Sequence, residues 1–125
     1  MLSTVKAALG DVRVVAEGEN YTPKGMQEYP IARFSVIPRE TVFQTLAFKE
    51  EAGLTAITLY FSRALNTIDE ALELAETVKN AFPPQNTQLD DGNQLLVLRT
   101  WIEAVRHEDN VFGIPIFIRW SNPNA

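Results

Sequence analysis

Thr67-Ile68-Asp69-Glu70-Ala71-Leu72-Glu73-Leu74-Ala75-Glu76-Thr77-Val78-Lys79-Asn80-Ala81-Phe82-Pro83-Pro84 carries a start signal, a period and a stop signal for one helix. Thr67 and Glu70 fit a capping box, in which the threonine oxygen accepts the amide three residues on and the glutamate reaches back to the cap amide. Ile68, Ala71, Leu72, Ala75, Val78 and Phe82 recur at helical spacing and make one apolar stripe. Asp69, Glu70, Glu73, Glu76, Lys79 and Asn80 lie mainly away from it. Acidic first turns and a late Lys79 complement the helix dipole, and Pro83-Pro84 cannot continue the hydrogen-bond ladder. The pattern predicts a helix over Thr67 to Phe82 with one buried face.

After the helix, Gln85 to Asn93 is polar and holds an Asp91-Gly92 turn signal. Leu95 to Arg106 then reads as a strand long enough to cross a sheet. One of its faces carries Leu95, Val97 and Trp101 with Arg99 and Glu103; the other carries Leu96, Leu98, Ile102 and Ala104 with Thr100. The second face is the expected core face. His107-Glu108-Asp109-Asn110 reads as the turn of a hairpin. Phe112, Ile114, Ile116, Ile118 and Trp120 follow in alternation, the clearest strand pattern in the chain. Pro115 lies on the opposite face and has no N–H to donate, which favours an edge strand or a bulge.

Upstream, Leu2, Val5 and Leu9 suggest a short helix over Met1 to Leu9 with Gly10 as its cap. Asp11 to Ala16 reads as a short strand and the stretch around Gly18 to Gly25 as a loop. Ile31 to Ile37 alternates as a half-buried strand, closed by Pro38. Thr41 to Phe48 is prone to strand. Lys49-Glu50-Glu51-Ala52-Gly53 separates it from Leu54 to Phe61, where Ile57, Leu59 and Phe61 share a face, and the two stretches read as neighbouring antiparallel strands. The expectation is one α+β domain over residues 1–125, with a mainly antiparallel sheet and one principal amphipathic helix packed on one face.

A chain of 125 residues with 46% hydrophobic and 22% charged residues has the composition of a folded protein. Size scaling has it bury about two-thirds of its unfolded surface. The absence of cysteine removes disulfides, thiolate metal sites and thiol nucleophiles. A net charge of -5 opposes general attraction to a phosphate backbone, so direct nucleic-acid recognition is not expected. No stretch has the eighteen or so apolar residues that a bilayer span needs, and Met1 to Arg13 lacks the apolar core of a signal peptide. These features predict a soluble protein made in the cytoplasm, and the sequon-like Asn20-Tyr21-Thr22 carries no weight.

The polar residues form no reactive set. His107 is the only histidine, so a two-histidine metal site is impossible, and its turn position predicts an exposed ring. Glu108 and Asp109 are adjacent in that turn and do not converge without other groups. Asp69, Glu70, Glu73 and Glu76 read as a solvated helix face. Asp90-Asp91-Gly92-Asn93 lacks the spacing and distal glutamate of a calcium loop. Glycine-rich phosphate loops, nucleophile elbows and serine–histidine–acid sets are missing. No catalytic, cofactor or metal residue is assigned, and the chain is not expected to be an enzyme. Among the aromatic residues Trp101 stands out, because it shares a face with Arg99 and Glu103 and needs another surface to cover it. Phe43 and Phe48, near a loop, come next. The expected subunit or partner interface is therefore Phe43, Phe48, Trp101, Glu103 and Pro115.

The order of elements is itself informative: a strand ending Leu59-Tyr60-Phe61, a helix from Ala71-Leu72-Glu73-Leu74-Ala75 to Ala81-Phe82-Pro83, a polar turn, and a hairpin closing on Ile114-Pro115-Ile116-Phe117-Ile118-Arg119-Trp120. This order resembles bacteriophage tail terminator-like proteins over Gly53 to Asn122, and more loosely over Glu19-Asn20-Tyr21-Thr22-Pro23 and the Tyr29 to Ile37 strand. The resemblance implies a subunit of a homohexameric ring that caps the finished tail tube, stops its polymerisation and helps join tail to head. Its implied partners are further copies of itself, the tail tube protein and head–tail connector or neck proteins. It also implies a place in the virion tail or neck after assembly in the host cytoplasm, and no cofactor. Two other classes are a connector or neck protein and a small ligand-binding domain or enzyme. The last would show a deep pocket with convergent polar groups, whereas a ring protein would expose an apolar edge and form a closed oligomer burying well over about 1,000 Å² per contact. The acidic helix face with Glu73 and Glu76 is a further expectation for charge-guided docking.

Overall fold

The computed structural model describes residues 1–23, 25–39, 44–45, 48–49, 51–90 and 93–122. Among these residues two α-helices, α1 (Leu2–Leu9) and α2 (Ile68–Asn80), accompany nine strands: β1 (Arg13–Val15), β2 (Ile31–Arg39), β3 (Gln44–Thr45), β4 (Phe48–Lys49), β5 (Glu51–Ser62), β6 (Thr87–Asp90), β7 (Asn93–Ile102), β8 (Arg106–His107) and β9 (Val111–Asn122). Seven strands form one sheet in the order β1-β2-β5-β9-β7-β6, with β8 also on β9, while β3 and β4 pair separately. The α+β expectation holds, but the sheet is mixed: β1 runs parallel to β2, and the other pairs are antiparallel.

α2 forms where its cap and period place it. Thr67 Oγ1 accepts the Glu70 amide at 3.2 Å. The glutamate's return contact goes to the Thr67 hydroxyl at 3.1 Å, and not to the cap amide. Ala71, Ala75, Val78 and Phe82 are fully buried, whereas Ile68 and Leu72 at the edge of the same stripe stay 40% and 37% exposed. Thr100 Oγ1 donates to the Phe82 carbonyl at 2.8 Å, satisfying a group just past the helix end. Removing the cap in Thr67→Ala is expected to cost about 1 kcal/mol. That loss would appear as a lower urea midpoint with an unchanged slope.

Both helices contribute to the core over one face of the sheet. Val5 and Leu9 of α1 join the buried α2 residues against Ile57, Leu59 and Phe61 of β5 and Phe112, Ile114, Ile116, Ile118 and Trp120 of β9. Burying each large side chain of this kind contributes about 1.5–3 kcal/mol. Gly10 ends α1 at φ 62, a left-handed conformation open to glycine, and its amide bonds back to Lys6. At the other end of the core the Trp120 indole donates to Thr55 Oγ1 at 3.0 Å, and that hydroxyl donates to Met1 Sδ at 3.2 Å.

Several local expectations are corrected. β7 does not keep one core face, because its register to β9 passes from Val97↔Trp120 to Arg99↔Arg119 and leaves Leu98 as the extra residue of a bulge. Leu95 and Val97 are buried before it, and Thr100 and Ile102 turn inward after it, while Leu98 is 38% exposed. The strand also stops at Ile102, and the separate two-residue β8 resumes the pairing.

Pro115 is in β9, which lies between β5 and β7 and is not an edge. Its carbonyl accepts the Glu103 amide at 2.9 Å. A strand residue points its N and O to the same neighbour, so the missing N–H faces the interruption between β7 and β8. The sheet thus keeps only one of the two bonds that a Glu103–Pro115 pair would exchange, at the point where β7 has stopped. Pro38 likewise does not end β2, which continues to Arg39. Val36 donates its N–H to Glu17 on the edge beyond β1, and Pro38, two residues on, points its nitrogen the same way.

Finally, Glu51-Ala52-Gly53 does not break a strand but begins β5, whose neighbours are β2 and β9. The stretch expected to pair with it instead contains β3 and β4, which pair with each other.

Candidate assembly surface

Because α1 and α2 serve one face of the sheet, the other face carries its own side chains outward. On β9 these are Pro115, Phe117 and Arg119; the register places Ala56 of β5 and Trp101 of β7 beside Phe117, and Leu54 and Arg99 beside Arg119. Leu54, Ala56, Trp101 and Phe117 are half-buried, Arg99 and Arg119 are exposed and Pro115 is buried.

The cluster is ordered by specific contacts. Trp101 and Phe117 stack with ring centroids 5.6 Å apart at 27°, an arrangement worth about 0.5–1.5 kcal/mol beyond burial. The Arg99 guanidinium lies 4.9 Å from the Trp101 ring centroid. The Trp101 indole N–H donates to Glu103 Oε1 at 2.8 Å. Glu103 is itself fixed by its backbone bond to Pro115. Among the described residues neither Arg99 nor Arg119 has a carboxylate within ion-pair distance.

The structure therefore brings together three of the five residues expected at an interface: Trp101, Glu103 and Pro115. Phe43 lies outside the described residues, and for Phe48 only the backbone, in β4, is described. Phe117 and Arg119 are additions. Their signal is the alternation of β9, which sends them to the face opposite the buried isoleucines.

A second surface lies on α2. Leu65 just before the helix is 55% exposed, and with Ile68 and Leu72 it forms an apolar margin. Asp69, Glu70, Glu73 and Glu76 are exposed on the same helix.

The remaining polar groups serve local structure. Arg63 donates to His107 Nδ1 at 2.8 Å and to the Glu108 carbonyl at 3.1 Å, which ties the turn before α2 to β8. His107 is exposed. Arg13 covers the Tyr21 ring at 3.9 Å, and Arg33 donates to the Tyr21 carbonyl at 2.8 Å. Desolvation, with Glu28 as a second cause, raises the Tyr21 phenol above its ordinary value. A cavity of about 280 Å³ near this loop is lined by Thr22, Pro23, Tyr29, Ile31, Arg33, Tyr60, Glu108 and Val111. Among the described residues, no three His, Asp or Glu side chains come together as a metal site. No described helix is long and apolar enough to cross a membrane.

No curated protein matches this sequence. Sixteen chains of solved structures match; one of them has a TM-score of 0.73 at 17% identity, covering 96% of this chain and 85% of that one, which places the two in the same fold. The sequence also matches a family described as phage tail terminator protein over residues 1–120. With nearly the whole chain inside that match, including both helices and most of β9, the chain belongs to the phage tail terminator protein family.

Proposed function

We propose that this protein assembles into a homohexameric ring that caps the completed tail tube, ends its polymerisation and offers a surface for joining the head. The observation that supports the reading best is the outer sheet face: a stacked Trp101–Phe117 pair stays half-buried on the side away from the helices. Large aromatic groups of this kind are common anchors of protein interfaces. Family membership supports a role among tail components and in the virion tail. The partners are then further copies of the chain, the tail tube protein and a connector or neck protein. The activity is assembly, and the proposal needs no cofactor.

The test is electron microscopy of purified tail tubes mixed with the protein. Ring-shaped density is expected at one end of each tube, and capped tubes should not lengthen when free tube subunits are added. Tubes that stay bare and continue to grow would reject the proposal.

A further inference from the structure

We infer that adjacent copies meet head to tail, with the acidic face of α2 on one copy seated on the outer sheet face of the next. Asp69, Glu73 and Glu76 approach Arg99 and Arg119, and Ile68 and Leu72 cover Trp101 and Phe117. The inference rests on the ring reading above and goes beyond it by naming the two surfaces that meet.

The first argument is charge. Arg99 and Arg119 are direct partners across the β7–β9 ladder and both are exposed. Like charges placed directly opposite destabilise a sheet. A row of carboxylates from another molecule removes that repulsion. One carboxylate close by, Glu103, is already engaged by the Trp101 indole. Arg99 is held over the Trp101 ring, so its guanidinium is placed before a partner arrives. The chain carries a net charge of -5, so two copies repel as wholes and a basic spot is a selective place to join them.

The second argument is shape and pattern. At about 100° per residue along a helix, Ile68 and Leu72 stand together, Asp69 and Glu76 lie next to them, and Glu73 lies just beyond. The helix therefore offers an apolar pair with acids along its outer side, while the buried stripe of Ala71, Ala75 and Val78 lies on the other. The sheet offers an aromatic pair with two bases on one side, Arg99 and Arg119, and Pro115 with Glu103 on the other. The two surfaces belong to opposite layers of the fold, so they cannot meet within one copy. A contact between different surfaces of identical copies is heterologous, and it closes into a ring when the rotation allows.

The test uses charge reversal on the full chain, read by sedimentation velocity and native mass spectrometry, and by microscopy on tail tubes. Arg99→Glu/Arg119→Glu and Glu73→Lys/Glu76→Lys are each expected to weaken self-association at least tenfold. Mixing the two variants should restore it, because every contact in an alternating ring again pairs opposite charges. A chain carrying all four reversals should also assemble with itself, and circular dichroism of the variants checks that each is folded. Intact self-association in both double variants would overturn the inference while leaving the ring reading in place. So would failure of the mixture and of the four-fold variant to recover. If the reversals abolish tube capture and spare the oligomer, the surfaces face the tube, and the inference is again overturned. A wild-type protein that forms no closed oligomer, alone or on tubes, would reject the ring reading and the inference together.

Discussion

Phe82→Ala is expected to lower the unfolding free energy by about 3–5 kcal/mol, the usual cost of emptying a buried phenylalanine site. Phe82 is fully buried just past the end of α2, and its carbonyl receives the Thr100 hydroxyl from β7. The side chain and the backbone bond together attach the end of the helix to the sheet. An alanine leaves the backbone bond in place, so the loss reports packing and the cavity left behind. The check is urea unfolding of the dilute protein with an unchanged slope, with a melting temperature about 10 °C or more below the wild type. Leu72→Ala, at a position 37% exposed, is the matched control and should change stability far less. A Phe82→Ala loss under about 1 kcal/mol would mean that the α2 end is not a fixed part of the core.

The contrast between Phe82 and Leu72 shows what one sequence can reveal. Cap, period and stop all act within a few residues, so α2 is legible from its own stretch. The buried face of β9 is legible for the same reason, since five apolar residues alternate without interruption. What fails is anything decided by a neighbour. Leu95 to Leu98 are apolar without alternation, so their own sequence does not choose a core face; the bulge that chooses it exists only in register with Trp120 and Arg119. Pro115 looks like an edge residue until the gap between β7 and β8 is found beside it. The helix stripe is wider than the sheet surface it meets, which leaves Ile68 and Leu72 outside the core. The candidate surface divides in the same way. Trp101 and Glu103 were legible because aromatic and charged residues share a face. Phe117 and Arg119 acquire meaning only through their cross-strand partners Trp101 and Arg99.

Gly53 gives the sharpest test of a neighbour's influence. It lies inside β5 opposite Trp120 of β9, and a Cβ built on it would fall 2.6 Å from both Cε2 and Cη2 of the indole and nearer still to Cζ2. The ring cannot simply swing away. It is 5% exposed, and its N–H is bonded to Thr55. Gly53→Ala is therefore expected to destabilise by about 1–3 kcal/mol through overpacking, even though alanine is otherwise the less costly residue in a strand. A double-mutant cycle isolates the cause. In a Trp120→Leu background the obstructing ring is gone, and Gly53→Ala should become neutral or slightly stabilising. The coupling between the two sites should then reach at least about 1 kcal/mol. Equal costs in both backgrounds would place the effect in the backbone at Gly53 and reject the close approach of the indole. The expected coupling gives this glycine a structural task in the middle of a sheet: it leaves the space that lets Trp120 reach its hydrogen bond.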